Sequence, residues 1–224
     1  MFKNLISRKS SILFFIILIS KLNAQLDFRR AAYGAVAGPN YSKILHAHNP
    51  SSERYSFFSG IFARIPIGIE CACDNPKFYI QAQLEYIQSG EKGGEKTLYA
   101  NNFLSLPIYI KAYPIKYNEN SFFFIQAGPR FSYLVKQRVV NPAWGRPYAI
   151  NQDGKANNFD FSVSVASGIS FTNRKNELLL RYDYSFTNAF PNLDESEATG
   201  DPLARLRKIQ HIVSIAYSRT IFNK

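Results

Sequence analysis

Seven charged residues, Arg64, Glu85, Lys111, Arg130, Asp160, Arg181 and Asp183, sit inside stretches of this 224-residue chain that otherwise alternate apolar and polar. Charges of both signs gathered in an apolar setting could relay protons or ions. They could equally neutralise one another as a packed ion-pair network, and buried charges are normally paired, which favours the network. Other groups suggest chemistry by proximity alone. His46 and His48 lie near Ser42, Ser51 and Ser52, residue types used in acyl transfer and hydrolysis. Closeness in a polar segment does not make a nucleophile and its base, so no catalytic residue is assigned. Cys71 and Cys73 are one residue apart, too few ligands for a zinc site and a strained ring if oxidised; two turn cysteines without catalytic work is the simpler reading. The run Asp194-Glu195-Ser196-Glu197 could hold Ca²⁺ weakly, although a solvated charge run reads more naturally. Gly90 and Gly93-Gly94 precede no helix, so no phosphate loop is expected, and with it no cofactor or metal.

Strands must position the seven charges. From Phe159 to Phe171 every odd position except Ser167 is large and apolar, and every even position is small or polar. Strict alternation over that length is a β-strand with one greasy and one thin face. Eight such strands are predicted: Ala32–Tyr41, Ser56–Glu70, Lys77–Gln88, Phe103–Ile115, Phe122–Lys136, Phe159–Thr172, Glu177–Asn188 and Lys208–Phe222. All seven charges fall opposite the apolar face, an accident of about one in a hundred with two faces per strand. A charge facing lipid near the midplane costs about 2–4 kcal/mol, so apolar faces outward and charges inward is the arrangement with a physical cause. His211 and Arg219 break the pattern near the ends of the last strand, where that cost fades. Neighbouring strands three and four could pair Glu85 with Lys111.

Connection lengths point the same way. Cys71–Pro76, Lys116–Ser121 and Asn173–Asn176 are short and turn-rich; Ser42–Tyr55, Ser89–Asn102, Gln137–Asn158 and Ala189–Arg207 are long. Short and long alternate, as tight periplasmic turns and long outer loops do in outer-membrane barrels. A soluble lipocalin-type barrel, with the bulky face inward, leaves that alternation unexplained. The expected fold is therefore all-β, an eight-stranded antiparallel up-and-down transmembrane β-barrel over residues 25–224 as a single domain. Its interior is just wide enough for side chains to fill, which disfavours a passive channel.

The N-terminus supports export. Lys3, Arg8 and Lys9 precede the apolar run Ile12–Ile19, and Ala24 follows at a plausible cleavage point, so residues 1–24 read as a signal peptide. The net charge of +11 includes four leader cations, and the remaining basic excess suits anionic lipid or lipopolysaccharide head groups. Export and scattered charge disfavour nucleic acid. The aromatic content of 15% fits membrane interfaces.

Four short motifs carry a resemblance: Gly34-Ala-Val-Ala-Gly38-Pro-Asn40, Leu104-Ser-Leu-Pro107, Gln126-Ala-Gly-Pro129 and Arg181-Tyr182. In order and spacing they resemble the outer-membrane β-barrel domain common in Bacteroidetes-type bacteria and often called PorT-like. The resemblance implies a location in the outer membrane of a Gram-negative envelope and no catalytic residues. One branch implies partners in type IX secretion and gliding. Envelope or secretion-machinery proteins are thus the expected partners, with a structural or adhesive OmpA-like barrel as the alternative and a rim-located lipid-modifying enzyme less favoured.

Overall fold

Alternation becomes a closed cylinder. The computed structural model describes residues 26–47, 51–67, 77–93, 97–140, 154–193 and 206–223. Eight strands follow in chain order: β1 (Ala32–Leu45), β2 (Ser52–Pro66), β3 (Phe78–Gly93), β4 (Thr97–Asn118), β5 (Ser121–Val140), β6 (Phe159–Phe171), β7 (Asn176–Ser185) and β8 (Ile209–Asn223). Each pairs antiparallel with its sequence neighbours, and β1 pairs with β8 to close the barrel. The shortest, β7, has 10 residues, enough to cross a bilayer at barrel tilt. Residues 1–24, Cys71, Cys73, His48 and the acidic run 194–197 lie outside the described residues.

The faces fall as the sequence period dictates. Ile61, Leu84, Ile110, Ile125, Ile169, Leu178 and Ile215 are exposed on the outer wall. Ile110 is 64% exposed while its neighbour Lys111 is 0% exposed, so one step along the strand moves a side chain from the outer wall to the lumen. An outer wall this apolar is a surface suited to acyl chains.

Strand lengths depart from the sequence reading. The stretches expected as the first two long loops are largely strand, since β1 runs on to Leu45, β3 to Gly93 and β4 starts at Thr97. No more than residues 46–51 and 94–96 is left to the first two connections expected to be long, so both are shorter than the sequence suggests, and the expected short turn at 71–76 lies outside the described residues. The sheet itself rises beyond the bilayer on the β1–β5 side. Beyond the hydrocarbon both faces of a strand meet polar surroundings, so residues such as Ser89, Glu91, Lys92 and Asn101 lose the contrast by which a strand is recognised.

Tight turns close the other end. Residues 119–120 join β4 to β5, with the Asn118 side chain accepting from the Asn120 amide at 3.0 Å. Between β6 and β7, Thr172, Asn173 and Arg174 all adopt left-handed φ, at 55°, 54° and 66°. A β-branched residue there is strained, and the result of the strain is to send the Arg174 side chain back into the barrel mouth. Ahead of β1, Asp27 caps a short 3-10 turn and binds Arg30 at 2.6 Å, which holds its carboxyl below the usual range.

Candidate functional site

The seven charges do meet inside the barrel, in two layers. In the layer nearer the loop end, Arg181 Nη1 from β7 reaches Glu85 of β3 at 2.8 and 3.0 Å. Arg130 of β5 donates to Asp183 at 2.7 Å and to Ser162 at 2.9 Å, and lies 3.4 Å from Asp160. Ser185 donates to the other Asp160 oxygen. Arg181 Nε sits 3.3 Å from Asp183 without hydrogen-bond alignment, and its guanidinium lies 4.1 Å over the Phe58 ring. Tyr109 completes the layer through Ser164 at 3.0 Å.

The layer nearer the turns is built on one carboxylate. Glu177 accepts from Arg64 and from Lys111, both at 2.6 Å, from the Tyr113 hydroxyl at 2.5 Å and from Ser218 at 2.9 Å. Arg64 also donates to the Arg174 carbonyl and to Thr220, each at 3.0 Å. Arg174 donates to Tyr79 at 2.7 Å and stacks 4.4 Å over Phe122. Lys111 Nζ sits 4.0 Å over Phe124. Four donors converge on a carboxylate where desolvation would otherwise make a lone charge prohibitive.

The Glu85–Lys111 pair that neighbouring strands could have made is not formed. The β3–β4 register places Lys111 opposite Tyr79 and Glu85 opposite Ser105, so the two charges belong to different layers. Each finds its partner across the lumen, on β7. Glu177 was not singled out from sequence, although it shares parity with Arg181 and Asp183 and so announces an inward direction. Arg174 lies in a turn and gives no periodic signal.

Side chains also close both ends. Arg174, Tyr79, Tyr113 and Phe122 pack at the turn end, with Tyr79 and Tyr113 edge to face at 5.6 Å. At the loop end Ile44, Ala47, Ala156 and Phe190 form an apolar cap, and Phe190 meets Tyr99 edge-on at 5.9 Å. Among the described residues the lumen is filled from layer to layer and capped, which leaves no column for ions. The purified barrel is expected to give no discrete conductance steps in planar bilayers; steady single-channel openings would contradict this packing.

Among the described residues His46, Ser42 and Ser51 each bond elsewhere, and His48 lies outside them. His46 faces the Arg207 carbonyl at 3.4 Å, while Ser42 donates to the Gly90 carbonyl at 2.8 Å and Ser51 to Glu91 at 2.5 Å. Among the described residues no group of His, Cys, Asp and Glu could hold a metal ion. His211, the outward exception on β8, pairs with the Tyr182 hydroxyl at 2.5 Å and contacts Tyr184 at 5.1 Å, inside the aromatic belt near the loop end. That belt continues through Tyr184–Phe186 at 5.2 Å and Tyr133–Phe159 at 5.1 Å.

Several solved outer-membrane proteins resemble the chain. Neisserial surface protein A has a TM-score of 0.48 at 11% identity, covering 85% of this chain and 99% of that one. Ail, the attachment invasion locus protein of Yersinia pestis, gives 0.42 at 9% identity over 86% and 99%. The outer membrane enzyme PagL gives 0.39 at 14% identity over 85% and 99%. These likenesses are of fold alone. No curated protein matches the chain. A family model described as outer membrane protein beta-barrel domain matches residues 23–191. With eight strands closed on themselves, an apolar outer wall and that match over most of its length, the chain belongs to the outer membrane protein β-barrel domain family and resides in the outer membrane.

Proposed function

We propose that this chain is a non-enzymatic integral barrel that acts on protein partners through its outer extension and its inner turns. The filled and capped lumen carries the reading, because it leaves the two ends as the surfaces where work can be done. Assistance to type IX secretion or gliding is the specific version that the sequence motifs support. A structural or adhesive role is the second reading, favoured by the sheet that rises above the membrane on the β1–β5 side. Deletion of the gene in its native host separates them. Loss of secreted cargo from the medium, restored by the intact gene, is expected for the secretion version. Unchanged secretion with lowered attachment to surfaces would remove that version in favour of the adhesive one.

A further inference from the structure

We infer that the outward face of β3, β4 and β5, just above the aromatic belt, binds the phosphate groups of an anionic outer-leaflet lipid. A single extra residue creates this face. Phe103 of β4 pairs with Leu134 and Asn102 pairs with Lys136, so Val135 on β5 has no partner and forms a bulge. Below the bulge, odd-numbered Ile125, Phe131 and Tyr133 point outward. Above it the parity reverses. Lys136 and Arg138 are exposed, Val139 is buried, and Gln137 turns inward to hold the Gly154 carbonyl at 2.8 Å and the Ala156 amide at 2.9 Å. Unbulged, β5 would direct both cations into the lumen in line with Arg130 and Ser132.

The register then assembles a patch. Lys136 lies beside Asn102 and Gln88, Arg138 beside Ala100 and Gly90, and Val140 beside Leu98 and Lys92. Among the described residues this face holds three cations, two amides and no acid. Strand spacing and rise put Lys136 and Arg138 about 7 Å apart, with Lys92 about 12 Å from Arg138 and about 17 Å from Lys136. Among the described residues none of the three cations has an ion-pair partner, whereas Lys43 on β1 lies 3.9 Å from Glu53.

Height and direction select the ligand. Lys136 stands three residues beyond the belt residue Tyr133, about 7–10 Å along the strand. That reach matches the head-group layer, about 5–8 Å thick on each side of the hydrocarbon. The patch also faces the same way as Leu104 and Phe131, which meet acyl chains lower on the same strands. The anions at that depth and on that side are lipid phosphates. Each basic side chain at a membrane surface contributes about fivefold in affinity.

The test uses the full folded chain in zwitterionic detergent, with retention of bisphosphorylated lipid A read by native mass spectrometry. The wild type is expected to retain it well above a dephosphorylated lipid A, and K92Q/K136Q/R138Q to lose about 100-fold of that retention with unchanged heat-modifiable mobility. K116Q/K175Q, at the turn end, is expected to bind as the wild type does. Deleting Val135 keeps every charge but reverses the parity, so it should abolish the preference; the glutamine variant carries the test if the deletion does not fold. Equal retention by wild type and triple variant, or by phosphorylated and dephosphorylated lipid, would overturn the inference. Displacement of lipid A by millimolar inorganic phosphate would also overturn it, as the mark of a free-anion site.

Discussion

Glu177→Ala is expected to lower the unfolding free energy by about 3–5 kcal/mol, the range for removing one partner from a buried ion pair. The variant leaves Arg64 and Lys111 facing each other across an empty position, each with 2.6 Å of carboxylate contact gone and the Tyr113 and Ser218 donors unmatched. Urea titration of the barrel folded into lipid vesicles, followed by circular dichroism and by heat-modifiable mobility, gives the number. A combined Arg64→Met, Lys111→Met, Glu177→Leu variant is expected to recover most of the loss. Its desolvation penalty disappears with the charges, and apolar replacements of buried ion pairs are often neutral or better. A loss under about 1 kcal/mol for Glu177→Ala alone would mean that water reaches the hub and that the layer is not dry.

Ile110→Arg tests the opposite wall. Ile110 is exposed on β4 between Leu104, which pairs with the belt residue Tyr133, and Ile115 near the turn end. A lipid-facing arginine at that depth is expected to cost about 2–4 kcal/mol, against about 0–1 kcal/mol for Val135→Arg near the interface. The same vesicle titration reads both variants. In a water-soluble barrel the two substitutions would be alike and nearly silent, so equal small effects would contradict the membrane-embedded wall.

Much of this architecture was legible because lipid and a narrow lumen impose opposite demands on adjacent residues. Where both demands act, as at Ile110 and Lys111, the period of two is unmistakable, and strand number, facing and the inward direction of the seven charges follow from it. Beyond the hydrocarbon that contrast vanishes, so the outer parts of β1 to β5 read as loops. Partner choice was not legible. Which charges meet across the lumen depends on the stagger between strands, and Glu85 reaches Arg181 rather than Lys111 for that reason. The bulge at Val135 leaves no compositional trace, although it reverses the direction of everything beyond it.

The hairpin of β4 and β5 has a further consequence, for the order in which the barrel forms. Strands of 22 and 20 residues joined across residues 119–120 have the smallest loop to close, so their pairing carries the least entropic cost. The β1–β8 seam joins opposite ends of the chain and carries the greatest. Glu177 on β7 meets Arg64 of β2 and Lys111 of β4 only as the cylinder rounds up. The buried salt bridges therefore lock a barrel that local pairing has already begun, and weakening them speeds unfolding more than it slows folding.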